Sequence, residues 1–574
     1  MDMQQYFDAQ MRLLTQAGKQ FAQQYPEHAG FLNIDALKDR DPHVERLLEG
    51  IAYLTAFTQK RLDETLPEVS EQVLRQICPI LLNYYPSTTV LEFAPKLTMQ
   101  GLVSVPKGAK ISSHKSDNAP VACHFTTTAE TKVLPFEIYS VDYHEIHTGA
   151  TLNLHLKRLG QGSLDDYDLS KLRVYLRGDT PLCASLYQMM KNPNAAIEVE
   201  TGKLGSTTQY TLSKSKIDAA FHKDSTGMLP NSEQSHPAYA LLLDYFNSRE
   251  KFYFVELTGL DTLNIDPDTN TISIKIASDI KLPPGNKVNA DNILLNCVPA
   301  VNIYSVDAEP IRVSENQTEY QLHPVQNKLG ESFCYSVKSV QGASSSTGEA
   351  IDFVSRYSTV YEDNAHLYSL ISRDIGGVSP QTYIQLPMQE VGDITTLSTD
   401  LLAHNAAWPR QTLQEGDINA QSADVPSVLS VKNVVRPSKL LNSPDQALHW
   451  QLISLLNMRF SQLAEPTQLK KLLALFDWSE RSENRNRIES IQGAESKPIS
   501  LLQKGVFVKG IEIHLTLNEK SFVCTADAYH FCDVLHQFFK LYAPINECLK
   551  TRVTLLPSYH EWEWDVTAGD SYQV

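Results

Sequence analysis

Cysteine is scarce in this sequence, and the few cysteines present are scattered. The 574 residues include 8 cysteines, and no two of them form a CxxC pair. A disulfide framework or a structural zinc site needs cysteines clustered at short, regular spacings. We therefore expect reduced, mostly buried thiols, and neither a disulfide-stapled domain nor a zinc module.

Positive charge is also in short supply. The chain has 50 Lys and Arg against 67 Asp and Glu, which gives a net charge of -17 and a pI of about 5.5. No local cluster of basic residues in the sequence offsets this balance. Because nucleic acids and anionic membrane surfaces select clustered Lys and Arg, the composition predicts no nucleic-acid partner and no direct membrane partner.

The apolar stretch near residue 50 is too short to cross a membrane. Its uncharged part, 50–59, supplies about half of the roughly 20 apolar residues that a membrane-spanning helix needs. The first residues, MDMQQYFDAQMRLL, contain an early Asp and lack the apolar core of a signal peptide. We expect a cytoplasmic protein that does not insert into the membrane.

Catalytic and metal-binding signatures are missing as well. The sequence contains no GxSxG, HExxH, GxGxxG or GxxxxGK[ST] motif. The HEIH segment, His144–His147, lies in a strand-like pattern, where residues three apart point to opposite faces. DPDTNT begins like a calcium loop at Asp266, but Thr271 and Ala277 replace the required Gly and Glu. We expect no catalytic residues, no metal and no cofactor.

A strongly apolar helix is present near the amino terminus. Asp41 followed by Pro42 is typical of a helix start, and Pro67 is expected to end the helix. Steps of three and four residues place large apolar side chains on one broad face, which has more apolar surface than a helix within its own domain needs. We predict that this face contacts another chain, through Val44, Leu47, Leu48, Ile51, Leu54 and Phe57.

The order of patterns along the chain predicts an α+β protein of several domains, because the length far exceeds what one hydrophobic core supports. Residues 1–88 are expected to form a helical block of three or four helices. After Thr88 the apolar period changes from about 3.6 to 2, as in TLNLHLKRL and TISIKIA, which predicts antiparallel sandwich or barrel-like sheets. We assign β-rich lobes to 89–290 and 291–395, and a mixed α/β domain to 396–574.

Polar connectors and further helices are predicted within this layout. The stretches at 342–349, 412–427 and 480–498 are expected to be loops because of their Gly, Ser and charged residues. AYALLLDYF, HWQLISLLNMRFSQL and QLKKLLALF are expected to be helical, as is the segment from Asp527 to Leu541.

The same segments resemble the TssF family of the type VI secretion baseplate. The likeness extends over nearly the whole chain, and one loop departs from the family pattern: LAHNAAWP keeps only Asn405 and Pro409. The matching segments are DPHVERLLEG at 41–50 with Pro86 and Ser87, Leu186 with Tyr187, Asp244–Phe246, Glu250–Phe252, Cys297–Asn302, Trp450–Ser454 and the C-terminal run that ends at Asn546.

The resemblance implies a scaffold protein related to the wedge proteins of contractile phage baseplates. It implies that two copies of this chain assemble with one TssG subunit through a shared helical core, that TssK and TssE attach to that core, and that six wedges surround the VgrG spike. The expected function is to seed the tail tube and sheath, with only indirect contact to the membrane complex.

Two functions of other classes remain alternatives on the residues alone. A ligand-binding β-sandwich protein would expose aromatic side chains beside polar loops and would be monodisperse by itself. An enzyme would need a site that none of the motifs above reveals. Neither alternative predicts family-like segments spread from Asp41 to Asn546.

Overall fold

The computed structural model describes most of the chain, in two compact units. The first unit consists of Met1–Arg75 with Asp445–Ser454, and the second of Gln76–Pro444 with Leu455–Val574. The described residues are 3–24, 42–116, 119–159, 162–203, 206–220, 227–230, 235–314, 316–325, 330–344, 348–356, 358, 365–373, 381–387, 394–444, 448–456, 465–503, 506–545 and 547–570.

The helices are distributed over both ends and the middle of the sequence. In chain order they are α1 (Met3–Gln24), α2 (Pro42–Ile77), α3 (Thr180–Lys191), α4 (Pro237–Asn247), α5 (Trp408–Thr412), α6 (His449–Leu456), α7 (Pro466–Phe476), α8 (Ser482–Glu489) and α9 (Thr525–Tyr542).

The strands occupy most of the remaining described residues. They are β1 (Thr88–Pro95), β2 (Val103–Val105), β3 (Lys110–Ser113), β4 (His124–Thr127), β5 (Thr131–Val133), β6 (Phe136–Ile146), β7 (Gly149–Arg158), β8 (Lys171–Leu176), β9 (Ile197–Lys203), β10 (Ser206–Leu212), β11 (Ile217–Ala219), β12 (Phe254–Thr258), β13 (Thr271–Ser278), β14 (Ile293–Leu295), β15 (Cys297–Val301), β16 (Tyr304–Asp307), β17 (Ile311–Arg312), β18 (Glu319–Gln321), β19 (Phe333–Ser344), β20 (Ala350–Ser355), β21 (His366–Arg373), β22 (Gln381–Gln385), β23 (Ile394–His404), β24 (Ile418–Gln421), β25 (Leu429–Asn433), β26 (Ile491–Gln503), β27 (Val506–Asn518), β28 (Cys548–Leu556) and β29 (Glu561–Ala568).

The described residues of the first unit are helical, and the predicted helical block at 1–88 stays a prediction. The unit contains α1, α2 as far as Arg75, and the first residues of α6. The expected stop at Pro67 is wrong, because the backbone of α2 continues as one helix of 36 residues through that proline. A proline removes one backbone hydrogen bond and tends to bend a helix. Good helix formers on both sides, such as Leu62 and Glu68, let the helix resume.

The second unit contains the sheets, and its main architecture is antiparallel. The strand orders are β24-β3-β4-β15-β1-β25, β10-β9-β13-β7-β6, β11-β12-β8-β14, β16-β23-β19-β20-β21-β22-β18 with β17 beside β23, β2-β5, and β26-β27-β28-β29. The protein is therefore α+β with a large share of strand. The first strand begins at Thr88, where the sequence period changes.

The two most regular alternating segments pair with each other. TLNLHLKRL lies in β7 and TISIKIA in β13, and the strands are antiparallel neighbours with Leu154 opposite Ile274. The Leu side chains of β7 and the Ile side chains of β13 are buried, and the polar residues between them lie at partly or fully exposed positions. The period-2 prediction is confirmed here because each strand covers a core with only one of its faces.

The predicted connector at 480–498 is wrong. Its residues form α8 and more than half of β26. The buried face of α8 carries Asn484 and Arg487 beside one apolar residue, Ile488, so the usual apolar signal of a helix is missing. Pro498 is tolerated in β26 because that strand is an edge strand of its sheet.

The predicted helices of the second unit are confirmed. AYALLLDYF forms α4, and the segment from Asp527 to Leu541 forms most of α9. Helix α9 is buried along nearly its whole length and packs on α3 and α4. Of the predicted helix at HWQLISLLNMRFSQL, the part beyond Leu456 lies outside the described residues.

The predicted domain boundaries stay a prediction. The six-stranded sheet places β15, β1 and β25 side by side in one layer, although the sequence assigned them to three different segments. Neighbours along the sequence are thus not always neighbours in this sheet.

Candidate partner interface

The middle of α2 presents large apolar side chains to the outside of the chain. The exposed fractions are 65% for Leu47, 40% for Ile51, 65% for Leu54 and 49% for Phe57. A Cβ atom added to Gly50, on the same face, would meet no atom within 4 Å. Side chains of this kind are usually at least half buried in folded proteins, so a continuous exposed row of them marks a contact surface.

The opposite face of α2 is buried within the chain. Ala52 and Ala56 are fully buried and lie one helical turn apart. Leu48, a turn before Ala52, is half-buried. In this part of α2 the small side chains of Ala52 and Ala56 are therefore buried, and the large apolar ones are exposed. We call the exposed row Leu47, Ile51, Leu54 and Phe57, together with Tyr53, the α2 apolar face.

The first unit as a whole is rich in exposed apolar residues. Among the described residues, eight of the seventeen exposed large apolar side chains belong to this small unit. Beyond the α2 apolar face they include Leu13 on α1, Val69 further along α2 and Trp450 on α6. The buried side of the unit includes Leu74 and Leu452.

The sequence prediction can be compared with these positions residue by residue. Leu47, Ile51, Leu54 and Phe57 lie on the exposed face, whereas Leu48 points toward the covered side. The side chain of Val44 lies outside the described residues. Their contact with another chain stays a prediction. Tyr53, Leu13 and Trp450 were not among the predicted contact residues, although the helical spacing of Tyr53 from Phe57 could have indicated it.

The second unit contains a buried ion network that the sequence analysis missed. Arg487 of α8 and Arg249, just after α4, both donate to the carboxylate of Asp527 in the first turn of α9. The Arg487 Nε atom lies 3.1 Å from Asp527 Oδ2. All three side chains are almost fully buried. Burial alone would raise the pKa of Asp527, but the two guanidinium groups hold it below its ordinary value.

A second buried carboxylate on α9 joins the helices to the C-terminal sheet. Asp533 accepts hydrogen bonds from the Tyr187 hydroxyl at 2.5 Å, from the Lys191 ammonium at 2.6 Å and from Trp564 Nε1 at 2.8 Å. Tyr187 and Lys191 lie on α3, and Trp564 lies on β29. These hydrogen bonds tie α3, α9 and β29 together, which is a structural role.

No group of three or more His, Cys, Asp or Glu side chains in the described part of the chain is placed to hold a metal ion. His144 lies near the end of β6, and the DPDTNT segment forms a turn before β13, as expected. Eight cysteines are free thiols, and most are buried. No helix among the described residues is long and apolar enough to cross a membrane.

Three buried histidines make stability depend on pH. Burial lowers the pKa of His404, His530 and His536 to about 4, helped at His530 by the nearby Arg249. His404 Nδ1 also accepts the Ala406 N–H at 3.1 Å, which requires the neutral ring. Between pH 6.5 and 4 the unfolded chain therefore binds more protons than the folded chain, so stability falls as the pH falls.

We expect the free energy of unfolding to drop on going from pH 7.5 to pH 5, by roughly 2 kcal/mol for each of these histidines. Urea unfolding at the two pH values measures this change. The variant His404→Asn, which keeps an acceptor near Ala406 N–H, should show a smaller drop than the wild type. Equal stability at both pH values would contradict the assignment of three neutral, buried imidazoles.

Comparison with known proteins assigns the chain to a family. The family model described as type VI secretion system, TssF, matches residues 1–571. The chain belongs to the TssF family. It is 25% identical to the type VI secretion system component TssF1 of Pseudomonas aeruginosa, and the match covers 95% of each chain. The protein is thus a TssF component of the type VI secretion system.

Two solved structures have the same fold as this TssF chain. A chain of a TssK-TssF-TssG baseplate subcomplex of the type VI secretion system matches it with a TM-score of 0.78 and 25% identity, over 91% of this chain and 98% of that one. A chain of a type VI secretion baseplate complex matches with a TM-score of 0.64 and 23% identity, over 98% of this chain and 99% of that one. The second likeness establishes the fold alone.

Segments that resemble other TssF sequences meet in the folded chain. Asn302, from the Cys297–Asn302 segment, and Asn405, from the loop that departs from the family pattern, hydrogen-bond to each other twice. Their separations are 2.8 Å for Asn302 Nδ2 to Asn405 Oδ1 and 2.7 Å for Asn405 N to Asn302 Oδ1. Asn405 also accepts the His124 N–H at 3.0 Å. The retained asparagine of the loop thus has a packing role.

A second pair of TssF-like segments is joined in the same way. Lys251 lies 2.6 Å from the carboxylate of Asp244, and both side chains are buried. The hydroxyl of Tyr85 donates to the other oxygen of Asp244 at 3.0 Å. These contacts join α4 to the residues just before β1. The family-like segments therefore supply packing contacts of the fold. Asn546, the last of the family-like positions, lies outside the described residues.

Proposed function

We propose that this TssF chain is a wedge subunit of a baseplate and that its α2 apolar face packs against a TssG-family subunit and a second copy of the chain. The proposal assigns two copies of this chain and one TssG-type subunit to each wedge. It draws support from the family membership and from the likeness to a chain of a TssK-TssF-TssG baseplate subcomplex. The function is then structural, without catalysis or cofactor.

The observation that carries the proposal is the division of α2 into two faces. The small residues Ala52 and Ala56 are buried, while Leu47, Leu54 and Phe57 are exposed. Fully burying an aliphatic or aromatic side chain of this size stabilises an interface by roughly 1.5–3 kcal/mol. These side chains are already partly buried, so each gains only the share that corresponds to its exposed surface. A handful of such residues supplies several kcal/mol to an interface, and obligate interfaces are apolar in this way.

The remaining partners follow from the same assignment. TssK and TssE are expected to attach to the core that this chain builds, and the spike protein VgrG is expected to lie at the centre of the ring of wedges. Contact with the membrane complex is then indirect, and the baseplate is cytoplasmic. The acidic surface, with a net charge of -17, accords with protein partners and not with lipid headgroups.

Photo-crosslinking from the α2 apolar face tests the proposal. A benzoylphenylalanine placed at Leu54, in cells that co-express the TssG-family subunit of the same system, should give a covalent adduct with that subunit or with a second copy of the chain. Leu97 is the matched control, because its side chain is 68% exposed against 65% for Leu54 and lies outside the helical unit.

The two probes should differ clearly. We expect a strong adduct from position 54 and a weak or absent one from position 97. Adducts of equal yield from both positions, or none from position 54, would contradict the proposed contact.

A further inference from the structure

One sheet edge of the second unit lacks the features that usually protect an exposed strand. Strand β10 is the last strand of the sheet β10-β9-β13-β7-β6, and its seven residues, STTQYTL, include no charge, no proline and no glycine. It pairs with β9 in regular register, without a bulge, from Ser206 opposite Lys203 to Leu212 opposite Ile197. A regular, uncharged edge strand is a ready template for another strand.

The other edge strands among the described residues are protected. Each of those longer than four residues carries charge: β6 has Asp142, β25 has Lys432, β26 has Lys497 beside Pro498, and β29 has Glu563. The remaining edge strands have two to four residues. Charges, prolines and short length all oppose pairing between sheet edges. The contrast within one chain singles out β10 as an edge that is open to pairing.

Strand β10 is also uncovered. Thr207, Thr208, Gln209 and Thr211 are exposed, and these residues belong to both faces of the strand, because successive side chains point to opposite faces. Within the described part of the chain, β9 is the only strand that pairs with β10, and no backbone group outside this pair hydrogen-bonds to it. Every second residue of an edge strand directs its N–H and C=O away from the sheet. These outward groups match the backbone of an extended polypeptide.

The residues of β10 favour a second β10 over a strand of another sequence. The exposed side chains of Thr207, Gln209 and Thr211 carry no charge that would select a foreign strand. A twofold axis at Gln209 would place Thr207 opposite Thr211 of the other copy, and Thr208 opposite Tyr210. Pairs of threonines and pairs of an aromatic with a β-branched residue stabilise antiparallel sheets. Because a symmetric pairing brings like strands together, the lack of charge also removes any repulsion between them.

We propose that β10 pairs antiparallel with β10 of a second copy of this chain, centred on Gln209, so that two five-stranded sheets join into one sheet of ten strands. The contact lies in the second unit and does not rest on the α2 apolar face. Seven paired residues bury less than the roughly 1,200–2,000 Å² of a stable interface, so the dimer is weak by itself. The pairing becomes effective where an assembly holds two copies close together.

Cysteine cross-linking of the full chain tests this register. In the symmetric pairing residue 209 lies opposite itself, whereas the two residues 207 are separated by about 14 Å along the strands. A disulfide needs Cβ atoms roughly 4 Å apart. Under mild oxidation Gln209→Cys should therefore give a disulfide-linked dimer, and Thr207→Cys at least tenfold less of it. Combining Thr207→Cys with Thr211→Cys should restore the dimer, because these positions lie opposite each other.

Two further variants separate this contact from other associations. Gln209→Cys should cross-link equally well in the Leu54→Asp background, since β10 and the α2 apolar face share no residue. Gln209→Lys should weaken dimerisation at least tenfold in sedimentation velocity, because two ammonium groups would then face each other across the axis.

Three results would overturn the proposal. The first is the absence of a dimer from Gln209→Cys, or equal yields from Gln209→Cys and Thr207→Cys, which would indicate random collision. The second is loss of the dimer in the Leu54→Asp background, which would make the α2 apolar face its cause. The third is a disulfide between Gln209→Cys and a co-expressed TssG-family subunit in place of the homodimer, which would assign the edge to another occupant.

Discussion

Replacing Asp527 with asparagine should lower the free energy of unfolding of the full chain by about 3–5 kcal/mol. The substitution keeps the size of the side chain but removes the charge that Arg249 and Arg487 share. Two buried guanidinium groups would then face each other without their common counterion. Arg487 would retain the Asn484 amide oxygen at 2.9 Å and Glu483 at 3.4 Å, which offset only part of this cost.

Urea unfolding of Asp527→Asn beside the wild type measures this loss. Glu198→Gln is the matched control, since Glu198 forms an exposed pair with Lys275 at 3.0 Å and should change stability by less than about 1 kcal/mol. In a double-mutant cycle, Arg487→Gln combined with Asp527→Asn should cost less than the sum of the single changes. Additive losses, or a stable Asp527→Asn variant, would show that the network is not coupled.

Much of the fold could be predicted from the sequence because its pattern reports burial directly. The alternation of Leu152, Leu154 and Leu156 identified β7, and the same pattern identified β13. Likewise, the apolar run AYALLLDYF, interrupted only by Asp244, identified α4, whose residues are buried on all sides. In each case the apolar side chains define both the element and the face that it covers.

One element that the sequence analysis missed is a helix whose buried residues are mostly polar. Helix α8 buries Arg487 and Asn484, so its composition suggested a loop. Arg487 can be buried because the carboxylate of Asp527 balances its charge. Arg249, the other cation of the network, lies 278 positions before Asp527 in the chain. No local pattern identifies partners so far apart. The sequence analysis also missed the packing role of the loop with Asn405. Its hydrogen-bond partner, Asn302, likewise lies far from it in the chain.

The candidate interface shows a different limit. Spacing identified the apolar stripe on α2 but could not tell which part of it is buried within the chain. The structure separates the two parts, since Ala52 and Ala56 are buried whereas Leu47 and Leu54 are exposed. The hydrophobic effect is non-directional, so an apolar side chain is stabilised by burial against its own chain or against another chain alike. That question belongs to the assembly.

Changing Leu54 to aspartate, or Ile51 to aspartate, should therefore abolish partner binding without unfolding the chain. In the isolated chain the new carboxylate at position 54 stays in water, because Leu54 is 65% exposed, and only a modest loss of helix propensity is expected. In the proposed core the same carboxylate would be buried without a counterion, at a cost of several kcal/mol. We expect the affinity for the TssG-family subunit to fall at least a hundredfold.

The most direct measurement is the capture of the TssG-family subunit by Leu54→Asp, with circular dichroism of the same preparation. We predict wild-type dichroism with loss of the captured subunit, while Leu97→Asp, which changes an equally exposed leucine of the second unit, retains both. Capture at the wild-type level by a folded Leu54→Asp chain would contradict the claim that the α2 apolar face joins this TssF protein to its wedge.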